Sequence, residues 1–116
     1  SPNMLRLWHN PRCSKSRAAL ELLETAKADF EVFLYINTPP NGERLDAVLG
    51  KLDVSILELL RTDEPEWRIT GLSLESPAPA IRRAMITYPI LIQRPILEAE
   101  DRAVIGRPPE RVLELL

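Results

Sequence analysis

The stretch HNPRCSKSRAAL, which starts at His9, holds the only cysteine and the only histidine of the chain. A thiol becomes a nucleophile when it ionises, and a helix N-terminus favours the ionised form through its unpaired N–H groups and the positive end of its dipole. A helical pattern begins beside Cys13, and Arg12, Lys15 and Arg17 add positive charge within one turn. The sequence therefore predicts a reactive thiolate at Cys13.

Three neighbouring residues are predicted to support this thiol. Ser16 follows Cys13 by one helical turn, so its hydroxyl can hydrogen-bond the sulfur. His9 is close enough in sequence to orient or protonate groups in the same loop, and Asn10 is a turn residue. The alternative role for Cys13 is that of a small buried apolar side chain, which is the commoner role of a lone cysteine. For His9 taken alone, a hydrogen-bonded loop histidine is the simpler interpretation.

A single cysteine limits the chemistry that the chain can perform. No internal disulfide or dithiol couple can form, and one cysteine with one histidine cannot supply the ligands of a structural zinc site. Cysteine-dependent phosphatases need an arginine at the position occupied here by Ala19. No metal is therefore expected, and any adduct on Cys13 must be resolved by a thiol from another molecule.

The composition is that of an ordinary globular protein, with 116 residues, 45% apolar and 28% charged, and a net charge of -2. This charge gives no electrostatic reason to expect nucleic acid or an anionic membrane as a partner. No apolar run approaches the roughly 18 residues that a spanning helix needs, and no signal peptide is visible. We therefore expect one cytoplasmic domain over residues 4–116, with residues 1–3 as a cloning remnant.

The elements around Cys13 are predicted to form a βαβ unit. An apolar run at 4–8 indicates a first strand, and apolar residues at i, i+3, i+4 and i+7 within 14–27 indicate an amphipathic helix. Residues 30–36 are nearly all apolar, as expected of a strand that is buried on both faces beside a parallel neighbour. A strand, a helix and a second strand of this length make a right-handed βαβ unit.

The rest of the chain combines a helical insertion with further strands. Short helical patterns occupy residues 41 to about 88. Runs typical of β-strands follow at 90–93, 96–99 and 103–105. The last two are separated by a polar turn and predict a terminal hairpin, after which Pro108 begins a last helix. These patterns together predict an α/β fold with a small mixed four-stranded sheet and a helical insertion.

Four segments carry a more distinctive order of residues, namely HNPRCSKSR at 9–17, LLR at 59–61, PILIQRPI at 89–96 and GRPPERVLELL at 106–116. They resemble the glutaredoxin-coupled arsenate reductase family of the ArsC type, and the resemblance extends over essentially the whole chain. It implies a thioredoxin- or glutaredoxin-like fold. It also implies that Cys13 attacks arsenate, that glutathione is a co-substrate, that glutaredoxin reduces the mixed adduct, and that no metal or tightly bound cofactor is used.

The same resemblance assigns the oxyanion site to Arg61, Arg94 and Arg107. Guanidinium groups suit this role, because they bind the oxygens of a tetrahedral anion in pairs, stay charged and lower the pKa of a nearby thiol. A lone arginine is more often a surface residue, but Arg94 and Arg107 each precede a proline at the end of a strand. By resemblance, Pro95 is expected to be the cis-proline that faces the cysteine and leaves the preceding backbone open to pair with glutathione.

The favoured function is the reduction of arsenate or a similar oxyanion by a cytoplasmic, monomeric enzyme whose partners are glutathione and glutaredoxin. Two alternatives stay open. Much of the same pattern serves Spx-like regulators that bind RNA polymerase, although these usually carry a second cysteine where this chain has Ser16. A glutathione-dependent thiol transferase acting on another substrate would keep Cys13 without needing all three arginines.

Overall fold

The computed structural model describes residues 4–116, which divide into two compact units. The first comprises the residues up to Thr38 together with Arg94–Leu116, and the second comprises Pro39–Gln93. Residues 1–3, interpreted above as a cloning remnant, lie outside the described residues. No helix in the described range is long and apolar enough to cross a membrane. The prediction of a single domain over 4–116 stays a prediction.

The first unit is built on a mixed sheet whose strands are β1 (Leu5–Trp8), β2 (Phe30–Phe33), β3 (Ile96–Glu98) and β4 (Ala103–Ile105). Their order across the sheet is β2-β1-β3-β4. β1 pairs in parallel with β2 and antiparallel with β3, and β3 pairs antiparallel with β4. Helix α1 (Ser14–Thr25) connects β1 to β2, so the predicted βαβ unit, terminal hairpin and α/β fold class are confirmed.

One face of this sheet is covered by α1 and by a 3-10 helix, Pro109–Leu115. This 3-10 helix stands where the sequence predicts the last helix. The buried residues of the cluster between the sheet, α1 and this helix are Leu5, Leu7, Ala19, Leu23, Leu97 and Val112. Burying a large aliphatic side chain contributes about 1.5 to 3 kcal/mol to folding. This cluster therefore fixes α1, and with it the residues at its N-terminus, against the sheet.

The opposite face of the sheet carries Trp8, which is fully buried. Its ring packs edge-on against Phe33, with 4.9 Å between ring centroids, and tilted against Tyr35 at 5.8 Å. The indole N–H donates to the buried carboxylate of Glu98 at 3.0 Å, and Arg6 lies 3.7 Å from the same carboxylate. A buried carboxylate is costly unless it is hydrogen-bonded and paired, and these two side chains supply both interactions.

The second unit consists mainly of short helices, all within the region where the sequence predicts a helical insertion. They are α2 (Gly42–Leu52), α3 (Ile56–Leu59), α4 (Pro65–Thr70) and α5 (Ala78–Thr87). The Asn41 side chain begins α2 by accepting the Arg44 N–H at 2.8 Å. α2 packs against α5, and the Arg82 guanidinium spans the two helices with hydrogen bonds of 2.7 and 3.0 Å to Asp46.

Two predictions about the sheet are wrong. Residues 90–93 are predicted as a strand, but Pro89–Leu91 form a 3-10 turn, and Ile92 makes only a single β-bridge, with Leu60. The second strand is predicted to be buried on both faces, but β2 is an edge strand in which Val32 is 44% exposed. Apolar composition identifies a strand in this case, but it does not tell whether a second neighbour covers it.

Candidate active site

Cys13 occupies the N-cap position of α1, at the end of the loop that leaves β1. Its backbone is extended, with φ -95° and ψ 124°, and its N–H donates to the Asn10 carbonyl at 2.9 Å. The Arg17 N–H donates to the Cys13 carbonyl at 3.0 Å and closes the first helical turn. The sulfur therefore lies beside N–H groups that have no acceptor within the helix, where the sequence predicts it.

Asn10 organises the loop around this cysteine. Its N–H donates to Ser16 Oγ at 3.2 Å, and its side-chain oxygen accepts the Arg12 N–H at 3.1 Å. Arg17 adds a hydrogen bond from Nη1 to the Pro11 carbonyl at 2.9 Å. Asn10 and Ser16 are both buried. The hydrogen bond between these two residues is therefore shielded from water and helps to hold the loop in one conformation around the thiol.

Several groups act on the Cys13 thiol, and together they lower its pKa below the ordinary value. Burial raises the pKa, because it disfavours the charged form. Hydrogen bonds from the backbone N–H groups of Ser16 and Lys15 lower the pKa, as do a hydrogen bond from the Arg94 side chain and the charge of that guanidinium. The lowering effects prevail, so the site favours the thiolate.

Arg107 is the second guanidinium at the sulfur. Its Nη2 lies 3.7 Å from Cys13 Sγ, and its Nε donates to the Arg94 carbonyl at 2.8 Å. The Arg94 side chain is buried and also bonds the sulfur. Two of the three predicted arginines therefore meet at Cys13. They flank the β3–β4 hairpin in sequence, and the pairing of Ile96 with Ile105 places them at the same, open end of it.

Arg61, the third predicted arginine, lies in the second unit. Its Nη1 donates to the Gln93 side-chain oxygen at 2.8 Å, and its Nη2 donates to the exposed Asp63 carboxylate at 3.1 Å. Its Nε is buried and has no hydrogen-bond partner among residues 4–116. That Arg61 shares one oxyanion with Cys13 stays a prediction.

The electrostatic support of the thiol differs from the prediction in two respects. The Ser16 hydroxyl is expected to bond the sulfur, but its oxygen accepts the Asn10 N–H, and it is the Ser16 backbone N–H that bonds the sulfur. Lys15 is expected to act on Cys13 through its charge, but it lowers the pKa through its backbone N–H. The charge of Arg94 lowers the pKa, as expected of a guanidinium at the oxyanion site. That the charges of Arg12 and Arg17 act on Cys13 stays a prediction. Composition alone cannot separate backbone donors from side-chain donors, so this distinction is invisible in the sequence.

His9 is buried just after β1, and its backbone N–H donates to the Phe33 carbonyl at 3.0 Å. Its Nδ1 is buried without a hydrogen-bond partner among the described residues. Burial lowers the pKa of His9, and the positive charge of Arg17 lowers it further, so the neutral imidazole is favoured. That His9 orients or protonates a group in the loop stays a prediction.

Pro95 follows a cis peptide bond, as the resemblance implies, and a second cis bond precedes Pro108. The backbone of Arg94 is expected to be open for a bound thiol peptide, but its carbonyl already accepts the Arg107 Nε. A ligand that paired with this carbonyl would have to share it with Arg107. Within residues 4–116, no group of three or more His, Cys, Asp or Glu side chains could hold a metal ion.

The arrangement suits nucleophilic attack on an oxyanion. The thiolate is the nucleophile, and the two guanidinium groups beside it can bind anionic oxygens in pairs while reducing their repulsion of the sulfur. The backbone donors of the first turn of α1 add positive potential at the same point. The loop and both arginines lie in the first unit, so this part of the site is assembled by the β1–α1 junction and the β3–β4 hairpin.

The chain is similar to known proteins in both sequence and fold. The sequence matches the ArsC family model over residues 8–115. It is 41% identical to the uncharacterized protein YfgD of Escherichia coli strain K12, with 97% of this chain and 96% of that protein covered. It is 38% identical to an arsenate reductase of Neisseria meningitidis, with 97% of each covered. The solved structure of an arsenate reductase from Vibrio cholerae superimposes with a TM-score of 0.91 at 36% identity, over 97% of this chain and 98% of that one. The chain, with its thioredoxin-like fold, therefore belongs to the ArsC family.

Proposed function

We propose that this protein reduces arsenate to arsenite through a covalent adduct on Cys13, and that glutathione and glutaredoxin resolve this adduct. The observation that carries the proposal is the meeting of Arg94 and Arg107 at a thiol whose pKa is lowered. The arsenate reductases among the relatives support the choice of anion. A cytoplasmic location is proposed with it, because reduced glutathione is maintained in the cytoplasm, and the protein is proposed to act as a monomer.

In the first step, the Cys13 thiolate attacks arsenic in arsenate and forms a sulfur–arsenic bond. One hydroxyl group of arsenate takes up a proton from solvent and leaves as water, and arsenic stays in the +5 state. Guanidinium groups at Arg94 and Arg107 stabilise the charge on the remaining oxygens while this bond forms. Arg61 is proposed to complete the set of oxyanion ligands.

The electrons for reduction must come from outside the chain, because it contains only one cysteine. The glutathione thiol first displaces a second arsenic-bound oxygen as water, so that arsenic carries both the Cys13 sulfur and the glutathione sulfur. A glutaredoxin thiolate then attacks the glutathione sulfur. The bond between that sulfur and arsenic breaks, and its electron pair passes to arsenic. Arsenic is reduced to the +3 state, and glutaredoxin leaves as a mixed disulfide with glutathione. Water finally displaces arsenite from Cys13 and regenerates the thiol.

The deciding experiment couples the purified protein to glutathione, glutathione reductase and glutaredoxin and measures NADPH oxidation that depends on arsenate. We expect multiple turnovers that require both glutathione and glutaredoxin. Thioredoxin with thioredoxin reductase should not replace them, because the chain has no second cysteine that could form with Cys13 the internal disulfide that thioredoxin would reduce. Multiple turnovers with thioredoxin as the only reductant would contradict the proposed route. Activity on a small mixed disulfide without any on arsenate would favour the thiol transferase instead.

A further inference from the structure

Gly106 connects the end of β4 to Arg107 in very little space. Its N–H donates to the Pro95 carbonyl at 2.8 Å. A Cβ atom at this position would lie 2.8 Å from Pro95 Cγ and 3.0 Å from Val112 Cγ1. The first distance is about 0.6 Å shorter than the 3.4 Å at which ordinary van der Waals contact begins. Position 106 therefore has room for a hydrogen atom but not for a methyl group.

Neither neighbour can easily move away. Pro95 is buried, and the atom concerned belongs to a ring rather than to the end of a flexible side chain. Val112 is fully buried in the cluster beneath α1. A side chain at 106 would therefore displace backbone, because closely packed interiors transmit a local clash to their surroundings.

We propose that Gly106 is a positioning residue for the oxyanion site, because its lack of a side chain lets Pro95 approach closely and so holds Arg94 and Arg107 together at the Cys13 sulfur. The identity of the anion rests on the proposed function, but the placement of the two guanidinium groups does not.

The linkage runs through adjacent residues. Arg94 directly precedes Pro95, and Arg107 directly follows Gly106. The two pairs are joined by the bond from the Gly106 N–H to the Pro95 carbonyl and by the bond of 2.8 Å from Arg107 Nε to the Arg94 carbonyl. A methyl group at position 106 would push the two pairs apart, and this displacement would strain both hydrogen bonds. Arg107 Nη2 and Cys13 Sγ lie 3.7 Å apart, and the attraction between the guanidinium and the thiolate weakens as this distance grows.

The test is Gly106→Ala in the full chain. Gly50→Ala is the matched control, because a Cβ at Gly50 meets no atom within 4 Å. The rate of Cys13 alkylation by iodoacetamide is followed against pH without arsenate or glutathione, so the result stands even if the protein proves not to reduce arsenate. We expect Gly106→Ala to slow alkylation roughly three- to tenfold at mildly acidic pH and to shift the profile to higher pH, since loss of nearby donors reduces the thiolate fraction. Gly50→Ala should match the wild-type protein.

The steady-state kinetics on arsenate separate positioning from a general loss of folded protein. Displaced guanidinium groups should raise KM for arsenate and lower kcat together, whereas a smaller folded fraction would lower kcat alone. The unfolded molecules would then add a separate alkylation phase with the pH dependence of a free thiol, and the profile of the folded molecules would stay in place. A Gly106→Ala protein with the alkylation profile of the wild type overturns the proposal.

Val112→Ala provides a second variant, because it removes one of the two atoms that the new methyl group meets. Its own alkylation profile is the reference for the double variant. The clash with Pro95 stays in the double variant, so Gly106→Ala should shift the profile in this background too, but by less than in the wild type. If Gly106→Ala does not fold, a shifted profile in the double variant relative to Val112→Ala supports the proposal, and an unshifted one overturns it. Loss of folding in both Gly106 variants also overturns it, because Gly106 would then serve the folding of the first unit as a whole.

Discussion

Arg107 in the first unit and Arg61 in the second are held by different kinds of partners. Arg107 is anchored through Nε on the carbonyl of Arg94, which leaves Nη2 beside the Cys13 sulfur. Arg61 is anchored through Nη1 on Gln93, and its Nη2 is bound to Asp63, whose side chain is 71% exposed. The first arginine thus acts on the thiol, whereas the second shares its charge with a surface carboxylate.

The contrast shows how the same residue type can be prepared for different tasks. A backbone carbonyl carries no net charge, so a hydrogen bond to it fixes a guanidinium without compensating the charge in the way that a carboxylate does. A surface carboxylate, in contrast, partly compensates the charge of the guanidinium that it binds. Added salt screens this ion pair and weakens the compensation. We therefore expect Arg94 and Arg107 to control both the thiol and the anion, and Arg61 to control the anion alone.

Replacing the nucleophile should have the largest effect, because it removes the atom on which the two arginines of the first unit act. In Cys13→Ser, the hydroxyl stays protonated at neutral pH and is a weak nucleophile. We expect arsenate-dependent NADPH oxidation to fall to the background rate, while circular dichroism shows a folded protein. Residual turnover well above background would mean that Cys13 is not the nucleophile.

Lysine substitutions at Arg94 and Arg61 sharpen the comparison between the two units. Lysine keeps the charge but loses the planar fork that binds two oxygens, and losing one charge-assisted contact costs about 2 to 3 kcal/mol, or roughly a hundredfold in rate. We expect Arg94→Lys to lower kcat/KM for arsenate by about that factor and Arg61→Lys by roughly tenfold. Arg94→Ala should in addition raise the pKa of Cys13, which the alkylation rate against pH would reveal.

The same alkylation profile provides the control for these variants. Arg61→Ala should leave the profile unchanged, because Arg94 is the arginine whose charge lowers the pKa of the thiol. If Arg61→Ala shifted the profile as far as Arg94→Ala, the difference between the two units would disappear. If either lysine variant kept wild-type kcat/KM on arsenate with chemistry as the limiting step, the oxyanion role of that arginine would fail.

Removing the carboxylate beside Arg61 should have a smaller effect in the opposite direction. Asp63→Asn keeps the shape of the side chain but frees the guanidinium from a partner that is largely exposed. Exposed ion pairs contribute only about 0.2 to 1 kcal/mol, so we expect KM for arsenate to fall by roughly twofold at low salt. The difference from the wild type should vanish at high salt, and a KM that rises would show that Asp63 orients Arg61 instead of competing for its charge.

The smallest expected effect concerns acid stability and His9, the only histidine of the chain. Its pKa is lowered from 6.5 in the folded protein by burial and by Arg17. The unfolded state therefore binds the proton more readily, so the free energy of unfolding should decrease as the pH falls below about 6.5. We expect His9→Gln to flatten this decrease between pH 7 and pH 5, as measured by urea denaturation. Parallel curves for the two proteins would contradict this.

Much of the first unit follows from its sequence, because local patterns and short connections decide it. The period of apolar residues in α1 places its N-terminus at Cys13, and the polar turn between β3 and β4 identifies the hairpin. Arg94 and Arg107 are marked by the prolines that follow them. Their meeting at the sulfur, however, depends on hydrogen bonds between segments that are distant from Cys13 in sequence.

The errors arise where burial or pairing depends on a neighbour that the sequence does not name. β2 looks like a central strand, but it has only β1 beside it. Residues 90–93 have the composition of a strand, yet Pro89 favours a helical start, and the N–H groups of Leu91 and Ile92 donate to the carbonyls of Tyr88 and Pro89. These bonds replace the ladder that a strand would need.

The burial of Trp8 also provides an optical separation of the two units. The chain has two tryptophans, of which Trp8 is fully buried in the first unit and Trp67 is partly exposed in the second. An indole shielded from water emits at shorter wavelength than one in contact with it. The blue edge of the fluorescence spectrum therefore reports on the unit that holds Cys13, and the red edge reports on the unit that holds Arg61. Emission spectra recorded along a denaturation curve therefore give two transitions, one from each edge, and coincident midpoints would show that the two units unfold together.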